Sequence, residues 1–184
     1  MRTQYYAAAS LDGYIATEDD SLDWLFSLGD VDETSYPQFI RDVGALVMGS
    51  ATYEWMLRHV IRPDSAPPGQ WPYTQPTWVF SSRDLPGIPG ADIRFARGDV
   101  RPVYEQTRAV ANGKNLWVVG GGGLAGQFYD AGLLNDIIVQ VSSVVLCSGK
   151  PLMPRRITSP SLRLVSVQQF GEGFAELRYE VRYP

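Results

Sequence analysis

Short runs of apolar residues alternate with segments of helical spacing along most of the chain, and this pattern predicts the secondary structure. Glycine, proline, serine and aspartate bound the apolar runs, which is typical of strands that end in turns. Predicted strands cover residues 5–9, 45–48, 77–81, 93–96, 116–119, 137–146, 163–170 and 174–183. Predicted helices cover residues 32–42, 53–59, 103–112 and 124–131. Pro37 lies inside the first helix, which therefore begins either among the acids before it or at the proline itself, and Gly44 is expected to end it.

The order of these elements predicts the fold class. Strand–helix units are typical of a parallel sheet covered by helices, and Gly171, Glu172 and Gly173 separate the last two strands as in a hairpin. We therefore expect one α/β domain over residues 1–184 with three layers, α/β/α. Its sheet should be mostly parallel, with an antiparallel hairpin at the C-terminal edge. Residues 62–76 contain five prolines and are predicted to form a loop.

Composition and charge exclude several classes of protein. Hydrophobic residues make up 45% of the 184 residues and charged residues 20%, as in globular proteins. The net charge is −4 and the two lysines form no basic cluster, so we expect no nucleic-acid partner. No apolar run reaches the roughly 18 residues of a membrane span, and the N-terminus lacks the apolar core of a signal peptide, so a cytoplasmic protein is expected. One cysteine and one histidine argue against a disulfide framework and against a metal site.

Four consecutive glycines, Gly120 to Gly123, stand between a predicted strand and a predicted helix. Residues without side chains let backbone N–H groups approach an anion, and a helix N-terminus adds partial positive charge. Residues 49–52 and 81–83 place small, hydroxyl or basic side chains at two further strand ends. Helix capping explains each alone, but together they predict a crevice for an extended phosphorylated ligand. The GxGxxG fingerprint that ends at Gly126 is rejected as a Rossmann motif because no acid ends the next strand.

Six short motifs, taken in order, carry a resemblance to a known family. They are residues 10–16 (SLDGYIA), 23–25 (DWL), 45–49 (ALVMG), 52–54 (TYE), 118–122 (VVGGG) and 148–152 (SGKPL). With this order and spacing the whole chain resembles the dihydrofolate reductase superfamily, in the branch of the reductase domain of bacterial riboflavin-biosynthesis deaminase-reductases. The resemblance implies hydride transfer from a reduced nicotinamide cofactor, usually NADPH, to a flat nitrogen heterocycle or a ribosylamino-pyrimidine.

The first candidate for the substrate is 5-amino-6-(5-phosphoribosylamino)uracil, an intermediate of riboflavin biosynthesis. Two alternatives stay open. One is a dihydrofolate reductase-like activity, and the other is a non-catalytic nucleotide-binding protein that retains the fold. Consumption of NADPH would separate an enzyme from a binding protein.

The resemblance also implies which residues contact the cofactor. The nicotinamide would be flanked by Ala8, Ile15 and Ala16. The pyrophosphate would be held by Gly49, Ser50, Ala51 and Thr52 on one side and by Val119, Gly120, Gly121, Gly122, Gly123, Leu124 and Ala125 on the other. Ser81, Ser82 and Arg83 would lie at the adenosine end, where an arginine matches a 2′-phosphate in geometry and charge.

Three positions depart from the family pattern. The family often has arginine where this chain has Ser50, and many members have arginine where it has Gly123. Both differences remove positive charge from the phosphate site, so NADH is an alternative cofactor to NADPH. Cys147 and Ser148 replace two glycines of the riboflavin-type pattern, which indicates a different substrate side.

Candidates for proton chemistry and substrate binding are fewer. Counting back from Gly49 brings Glu33 to the position of the carboxylate that orients the pterin in dihydrofolate reductases, although an acid there also suits a helix N-terminus. Asp12 either forms a turn with its own backbone or shapes a loop over the nicotinamide. Trp24, Tyr53 and Lys150 are candidate contacts of the substrate.

Partners are predicted from the same pattern. We expect a small heterocyclic substrate, no metal and no membrane. We also expect a homodimer, with residues 137–146 and the C-terminal hairpin as the candidate interface.

Overall fold

The secondary structure follows the predicted order of elements, and the computed structural model describes residues 1–62, 67 and 69–184, with only the backbone at Val31. The strands are β1 (Thr3–Ala9), β2 (Tyr14–Ala16), β3 (Val43–Gly49), β4 (Thr77–Phe80), β5 (Ile93–Ala96), β6 (Asn115–Gly120), β7 (Asp136–Ser142), β8 (Lys150–Pro151), β9 (Arg163–Phe170) and β10 (Phe174–Glu180). The α-helices are α1 (Asp23–Phe26), α2 (Tyr36–Arg41), α3 (Ser50–Met56), α4 (Val100–Val110) and α5 (Gly122–Asp130). A 3-10 turn (Val31–Glu33) precedes α2, and a π-helical turn (Leu57–Ile61) follows α3.

The main sheet has eight strands within the described residues, in the order β5-β4-β3-β6-β1-β7-β10-β9. Every neighbouring pair from β5 to β7 is parallel. β10, the last strand along the chain, lies between β7 and β9 and is antiparallel to both. The predicted α/β fold, mostly parallel with an antiparallel C-terminal edge, is therefore confirmed. A separate two-stranded ladder joins β2 to β8.

Helices cover both faces of this sheet, which gives the three predicted layers. Successive strand residues point to opposite faces, so neighbours in sequence enter different cores. The face covered by α4 and α5 buries Tyr5, Val47, Val103, Val118 and Phe128. The face covered by α2 and α3 buries Tyr6, Phe39, Leu46, Met48, Tyr53, Met56, Val79 and Trp117. The continuous apolar runs of the central strands follow from this burial on both sides.

The predicted helix at residues 32–42 is shorter than its acidic start indicated. α2 begins at Tyr36, with Pro37 as its second residue, where the fixed φ of proline is tolerated. Asp32 and Glu33 lie instead in the separate 3-10 turn. Of the two predicted starts, the one at the proline is therefore correct within one residue, and the acids lie in the first turn of the 3-10 helix before it.

Gly44 lies inside β3 and does not mark a break before it. A Cβ at this position would lie 2.3 Å from the carbonyl oxygen of Ala111, which directly follows α4. The strand contains a glycine because the chain leaving α4 passes too close for any side chain.

The predicted strand at residues 137–146 is shorter, since β7 ends at Ser142, and it lies between β1 and β10 inside the sheet. Ile137 and Ile138 are buried beneath the helices on the two faces. β7 is therefore enclosed within the sheet, whereas Val145 after it is 56% exposed and the β9–β10 hairpin lies at the edge, and the homodimer stays a prediction. Of the predicted loop 62–76, residues 63–66 and 68 are outside the described part, and the rest of it contains no helix or strand.

Candidate active site

The carboxyl ends of three parallel strands, β4, β3 and β6, lie side by side at one end of the sheet. Met48 is in register with Gly120, and Gly49 is in register with Phe80, so the segments that follow β3, β4 and β6 start next to one another. In an open α/β sheet, ligands bind in the crevice outside these carboxyl ends. The structure thus brings the residues predicted to contact the cofactor to one edge.

The turn from β6 into α5 packs against α3 on one side and β2 on the other. A Cβ on Gly120 would lie 3.0 Å from Oγ1 of Thr52, and a Cβ on Gly121 would lie 3.6 Å from Cδ1 of Ile15. The peptide bond between the two glycines is cis. Residues from three separate predicted motifs therefore meet at this turn.

The first turn of α5 combines a tight approach with open space. A Cβ on Gly122 would lie 2.4 Å from the carbonyl oxygens of Pro151 and Leu152, whereas a Cβ on Gly123 would meet no heavy atom of the described chain within 4 Å. The amides of Leu124 and Ala125 donate to the carbonyl of Gly121, at 3.0 and 3.2 Å. The amides of Gly122 and Gly123 come before them, where a helix supplies no intrahelical acceptor.

The glycine that ends the rejected fingerprint has a packing role. A Cβ on Gly126 would lie 2.8 Å from the Cζ atom of Arg155, whose guanidinium lies over α5 and pairs with Asp130 at 2.8 Å. This glycine makes room for an arginine, and it needs no dinucleotide to explain it.

The β2–β8 ladder holds the loop after β1 in place. Ala16 is in register with Lys150, and Gly149 (φ +146°) approaches so closely that a Cβ would lie 2.1 Å from the carbonyl oxygen of Ala16. The ammonium of Lys150 lies 3.7 Å from a carboxylate oxygen of Asp20 on the protein surface. The structure therefore places Lys150 in a surface ion pair, beside the predicted nicotinamide contacts.

Asp12 fixes the loop that follows β7. Its carboxylate accepts hydrogen bonds from the amides of Leu146 and Cys147, at 3.1 and 2.7 Å. Hydrogen bonding by the Ser10 hydroxyl, together with these two amides, holds the pKa of Asp12 below its usual value. In this arrangement Asp12 is an ionised acceptor and not a proton donor.

The predicted adenosine end carries two arginines. Arg83 pairs with Glu54 of α3 at 2.6 Å, and Arg97, directly after β5, pairs with Asp84 at 2.5 Å. Both arginines line a pocket of about 160 Å³ together with Asp84, Leu85 and Phe95. Sequence reasoning missed Arg97, although a basic residue that follows a strand next to β4 could have indicated it. Beside the pocket, Ser81 Oγ accepts the amide of Arg83 at 3.0 Å and holds this turn.

Tyr53 is a residue of α3 whose side chain points into the core. Its side chain is fully buried, and its hydroxyl donates to the carbonyl of Pro86 at 2.7 Å. The structure thus places this predicted substrate contact in the core between α3 and the sheet, where its polar atom is already bonded.

α1 and its flanks lie over the crevice between α3 and the hairpin. The ring of Phe26 stacks on Trp55 of α3 with centroids 6.0 Å apart, and a Cβ on Gly173 of the hairpin turn would lie 3.3 Å from the carbonyl oxygen of Leu28. Trp24, a predicted substrate contact on α1, has a buried Nε1 without a hydrogen-bond partner among the described residues. A donor left without an acceptor beside a crevice is a candidate ligand contact.

The predicted acid and the buried acid are different residues. Glu33 is exposed in the 3-10 turn, whereas Glu176 of β10 is 2% exposed and faces α2. Sequence reasoning missed Glu176. Its one local signal was a charged residue between Ala175 and Leu177 in an otherwise strand-like segment.

Comparison with known families decides where this chain belongs. Residues 71–175, more than half of the chain, match the family described as the RibD C-terminal domain. The chain belongs to this family. The Bacillus subtilis uncharacterized protein YwjB is 30% identical to it over 178 residues, which cover 97% of each protein.

Several solved structures share the fold of this RibD C-terminal domain protein. A putative riboflavin biosynthesis protein from Shewanella sp. PV-4 aligns with a TM-score of 0.79 and 24% identity, over 99% of this chain and 100% of that one. A Thermotoga maritima deaminase and 5-amino-6-(5-phosphoribosylamino)uracil reductase aligns with a TM-score of 0.66 and 15% identity, over 97% of this chain and 56% of that longer one. Dihydrofolate reductase from Enterococcus faecalis, in complex with NADP(H), aligns with a TM-score of 0.64 and 14% identity, over 97% and 95%. The predicted resemblance to the riboflavin branch of the dihydrofolate reductase superfamily is confirmed.

Two features are absent from the part of the chain that the structure describes. No helix within residues 1–62, 67 and 69–184 is long and apolar enough to cross a membrane. Within the same residues, no group of three or more His, Cys, Asp or Glu side chains is placed to hold a metal ion.

Proposed function

We propose that this RibD C-terminal domain protein is a reductase that transfers hydride from NADPH, with NADH as the alternative, to a flat nitrogen heterocycle. The first candidate for the substrate is 5-amino-6-(5-phosphoribosylamino)uracil. One observation carries the proposal: Thr52, Ile15 and the glycine turn meet at the carboxyl edge of the sheet. The reductase named for the Thermotoga relative and the NADP(H) named for the Enterococcus relative support it.

The residues at this edge fit an extended dinucleotide. The amides of Gly122 and Gly123 open a helix of nine residues, where partial positive charge favours a pyrophosphate. The open space at Gly123 leaves room for phosphate oxygens. Arg83 and Arg97 frame the pocket at the far end, where a 2′-phosphate would compete with Glu54 and Asp84 for the two guanidinium groups.

The chain's own residues would bind, orient and shield the reactants. When bound, the nicotinamide supplies the hydride. Ile15 and Ala8 would place its ring against the glycine turn, and the segment around α1 would cover the crevice and exclude water. Holding two flat rings at reacting distance supplies most of the rate enhancement expected of such an enzyme.

A titration of the purified protein with NADPH and with NADH tests the cofactor site. Tryptophan fluorescence reports binding, and loss of nicotinamide absorbance on addition of the aminouracil reports turnover. NADPH consumption that depends on the aminouracil is the expected result. Consumption with dihydrofolate alone would favour the dihydrofolate reductase-like alternative, and binding without consumption would favour a nucleotide-binding protein.

The variant Arg83→Ala tests the adenosine end. We expect it to weaken NADPH binding by about tenfold and NADH binding much less, because a charge-assisted bond to the 2′-phosphate is lost only for NADPH. Arg108→Ala, on the exposed face of α4, is the matched control and should change neither dissociation constant. Equal losses for both cofactors would contradict the assignment of Arg83 to the 2′-phosphate.

A further inference from the structure

A buried carboxylate lies on the face of the sheet that α2 covers. Glu176 accepts at Oε1 from Nε of Arg178, at 2.8 Å, and at Oε2 from Nε2 of Gln140, at 3.3 Å. Its Oε2 also accepts the hydroxyl of Ser35, the residue directly before α2. Burying a carboxylate is costly unless donors satisfy it, and here three donors do so.

The direction of each hydrogen bond in this group follows from the donors available. Ser35 gives its single proton to Glu176, so in its 3.1 Å contact with the hydroxyl of Tyr6 the tyrosine is the donor. Gln140 Nε2 donates to the same tyrosine oxygen at 2.6 Å. Burial raises the pKa of Tyr6, which keeps its hydroxyl protonated. One lone pair of Ser35 Oγ then remains for a further donor.

Ser35 stands at a helix N-cap and does not act as a capping residue. A serine there ordinarily accepts a hydrogen bond from an amide of the first turn, but Ser35 makes no such bond. Its hydroxyl is turned towards Glu176 instead. The first turn of α2 therefore lacks this stabilising hydrogen bond, and the bond to Glu176 holds the hydroxyl in one orientation.

A pocket of about 340 Å³ opens onto this hydroxyl, between α2 and the β9–β10 hairpin. Its lining includes Ser35, Gln38, Gln168, Phe170 and Arg178, and it extends to Gln4, Asp42 and Asn115 at the amino ends of β1, β3 and β6. The volume is that of a small-molecule site, and amide side chains beside an aromatic ring suit a flat polar ligand.

Glu176 and Gln140 lie at the same level of the sheet as Ala8, a predicted contact of the nicotinamide. Ala8, Gln140 and Glu176 are in register on three neighbouring strands, so about 10 Å separates Ala8 from Glu176 at the usual strand spacing. Ser142 lies on the same face, nearer the carboxyl edge, and its buried Oγ has no hydrogen-bond partner among the described residues. An unpartnered hydroxyl beside the buried group points to a ligand on this face.

We propose that Ser35 is a specificity-determining contact of the substrate and that Glu176 is the positioning residue that makes Ser35 a hydrogen-bond acceptor. The pocket then selects heterocycles that present an N–H group to Ser35 Oγ. This inference rests on the proposed function and adds to it the edge of the heterocycle that is recognised.

The variant Glu176→Gln should reverse the polarity of Ser35. Arg178 stays charged, so the amide oxygen of the new side chain turns towards its Nε and the amide nitrogen takes the place of Oε2. That nitrogen donates to Ser35 Oγ, Gln140 loses its acceptor on residue 176 and keeps its hydrogen bond to Tyr6, and the serine proton is released towards the pocket. A purely structural role of Glu176 predicts lower stability without this reversal.

Two matched uracils test the inference by binding alone. One probe is 5,6-diaminouracil, which presents ring N–H groups, and the other is 5,6-diamino-1,3-dimethyluracil, which differs only in the methyl groups that replace them. We expect the wild-type protein to bind the first about tenfold more tightly, the value of one hydrogen bond. Glu176→Gln and Ser35→Ala should each bring the ratio of dissociation constants close to one. Glu180→Gln, a surface carboxylate on the same strand paired with Arg163, should keep the wild-type ratio.

The outcomes separate this inference from the proposed function. An unchanged ratio in both Glu176→Gln and Ser35→Ala would overturn the inference, even where NADPH oxidation persists. A wild-type protein that keeps the ratio but never oxidises NADPH would contradict the proposed reductase and leave the pocket assignment standing. Ser35 is half-buried at the surface, so Ser35→Ala remains a valid test if Glu176→Gln fails to fold.

Discussion

The carboxylate of Asp12 joins two segments of chain at the edge of the candidate active site. It lies in the turn after β1 and accepts the amides of Leu146 and Cys147, which come 134 and 135 residues later. Cys147 has a φ of +64°, a conformation that residues other than glycine seldom adopt. The two hydrogen bonds offset the cost of that conformation, so a single side chain decides the path of the loop after β7.

The variant Asp12→Asn should lower stability in a pH-dependent way. The folded-state pKa of Asp12 lies below its ordinary value of 3.8, so the ionised carboxylate stabilises the fold above about pH 4. This contribution is lost as the pH falls through the folded-state pKa. Urea unfolding of both proteins at pH 7 and at pH 3 checks it: the variant should be less stable at pH 7, and the difference should shrink at pH 3. A difference that does not depend on pH would contradict the role of the charge.

At the scale of elements, apolar runs predicted the central strands well because β3 and β6 are short segments buried on both faces. The segment 93–96 was predicted with the bounds of β5, and β6 differs from its prediction by one residue at each end. α1 was missed because a helix of four residues shows no periodicity. Two starts stayed open for α2 because acids and a proline each suit the beginning of a helix, and the structure begins it at Tyr36, beside the proline.

The start of α5 gives a matched pair of glycine substitutions. Gly122→Ala would place a Cβ 2.4 Å from two backbone carbonyl oxygens, so we expect a loss of about 1–3 kcal/mol in the free energy of unfolding. Gly123→Ala meets open space and should leave stability within about 0.5 kcal/mol of the wild type. Thermal and urea unfolding of the two variants compare them directly. Similar changes at both positions would contradict a role for the close approach of residues 151–152, because the higher helix propensity of alanine acts on both alike.

At the scale of the whole molecule, the order of small residues along the chain predicted the cofactor edge because parallel strands bring their carboxyl ends together wherever they lie in sequence. The group around Glu176 escaped prediction for a related reason. Its members, Tyr6, Ser35, Gln140 and Arg178, belong to different elements and meet only once the sheet and α2 are assembled. No local pattern marks such a group, whereas a glycine run marks a phosphate-binding turn.

The outermost strand of the sheet, β9, is a candidate interface for the predicted homodimer. β9 is an eight-residue edge strand, and three of its apolar side chains, Leu164, Val165 and Val167, are 51%, 54% and 60% exposed. A regular exposed edge tends to pair with another chain unless a charge or a bulge prevents it. The register of β9 shifts at Val165, which leaves residues 166–170, with Val167 among them, as its regular part. A second copy of this chain joined through β9 would cover the exposed side chains.

The variant Val167→Lys should therefore dissociate the homodimer, because a charge in the middle of β9 would be buried at the interface. Sedimentation equilibrium measures the effect: we expect a dimer for the wild type and a monomer for the variant. Ala109→Lys is the control, because Ala109 is exposed on α4, outside both segments of the predicted interface, and its variant should stay dimeric. A wild-type monomer would contradict the homodimer itself. A dimer that survives Val167→Lys would place the interface elsewhere, on a face that β9 does not form.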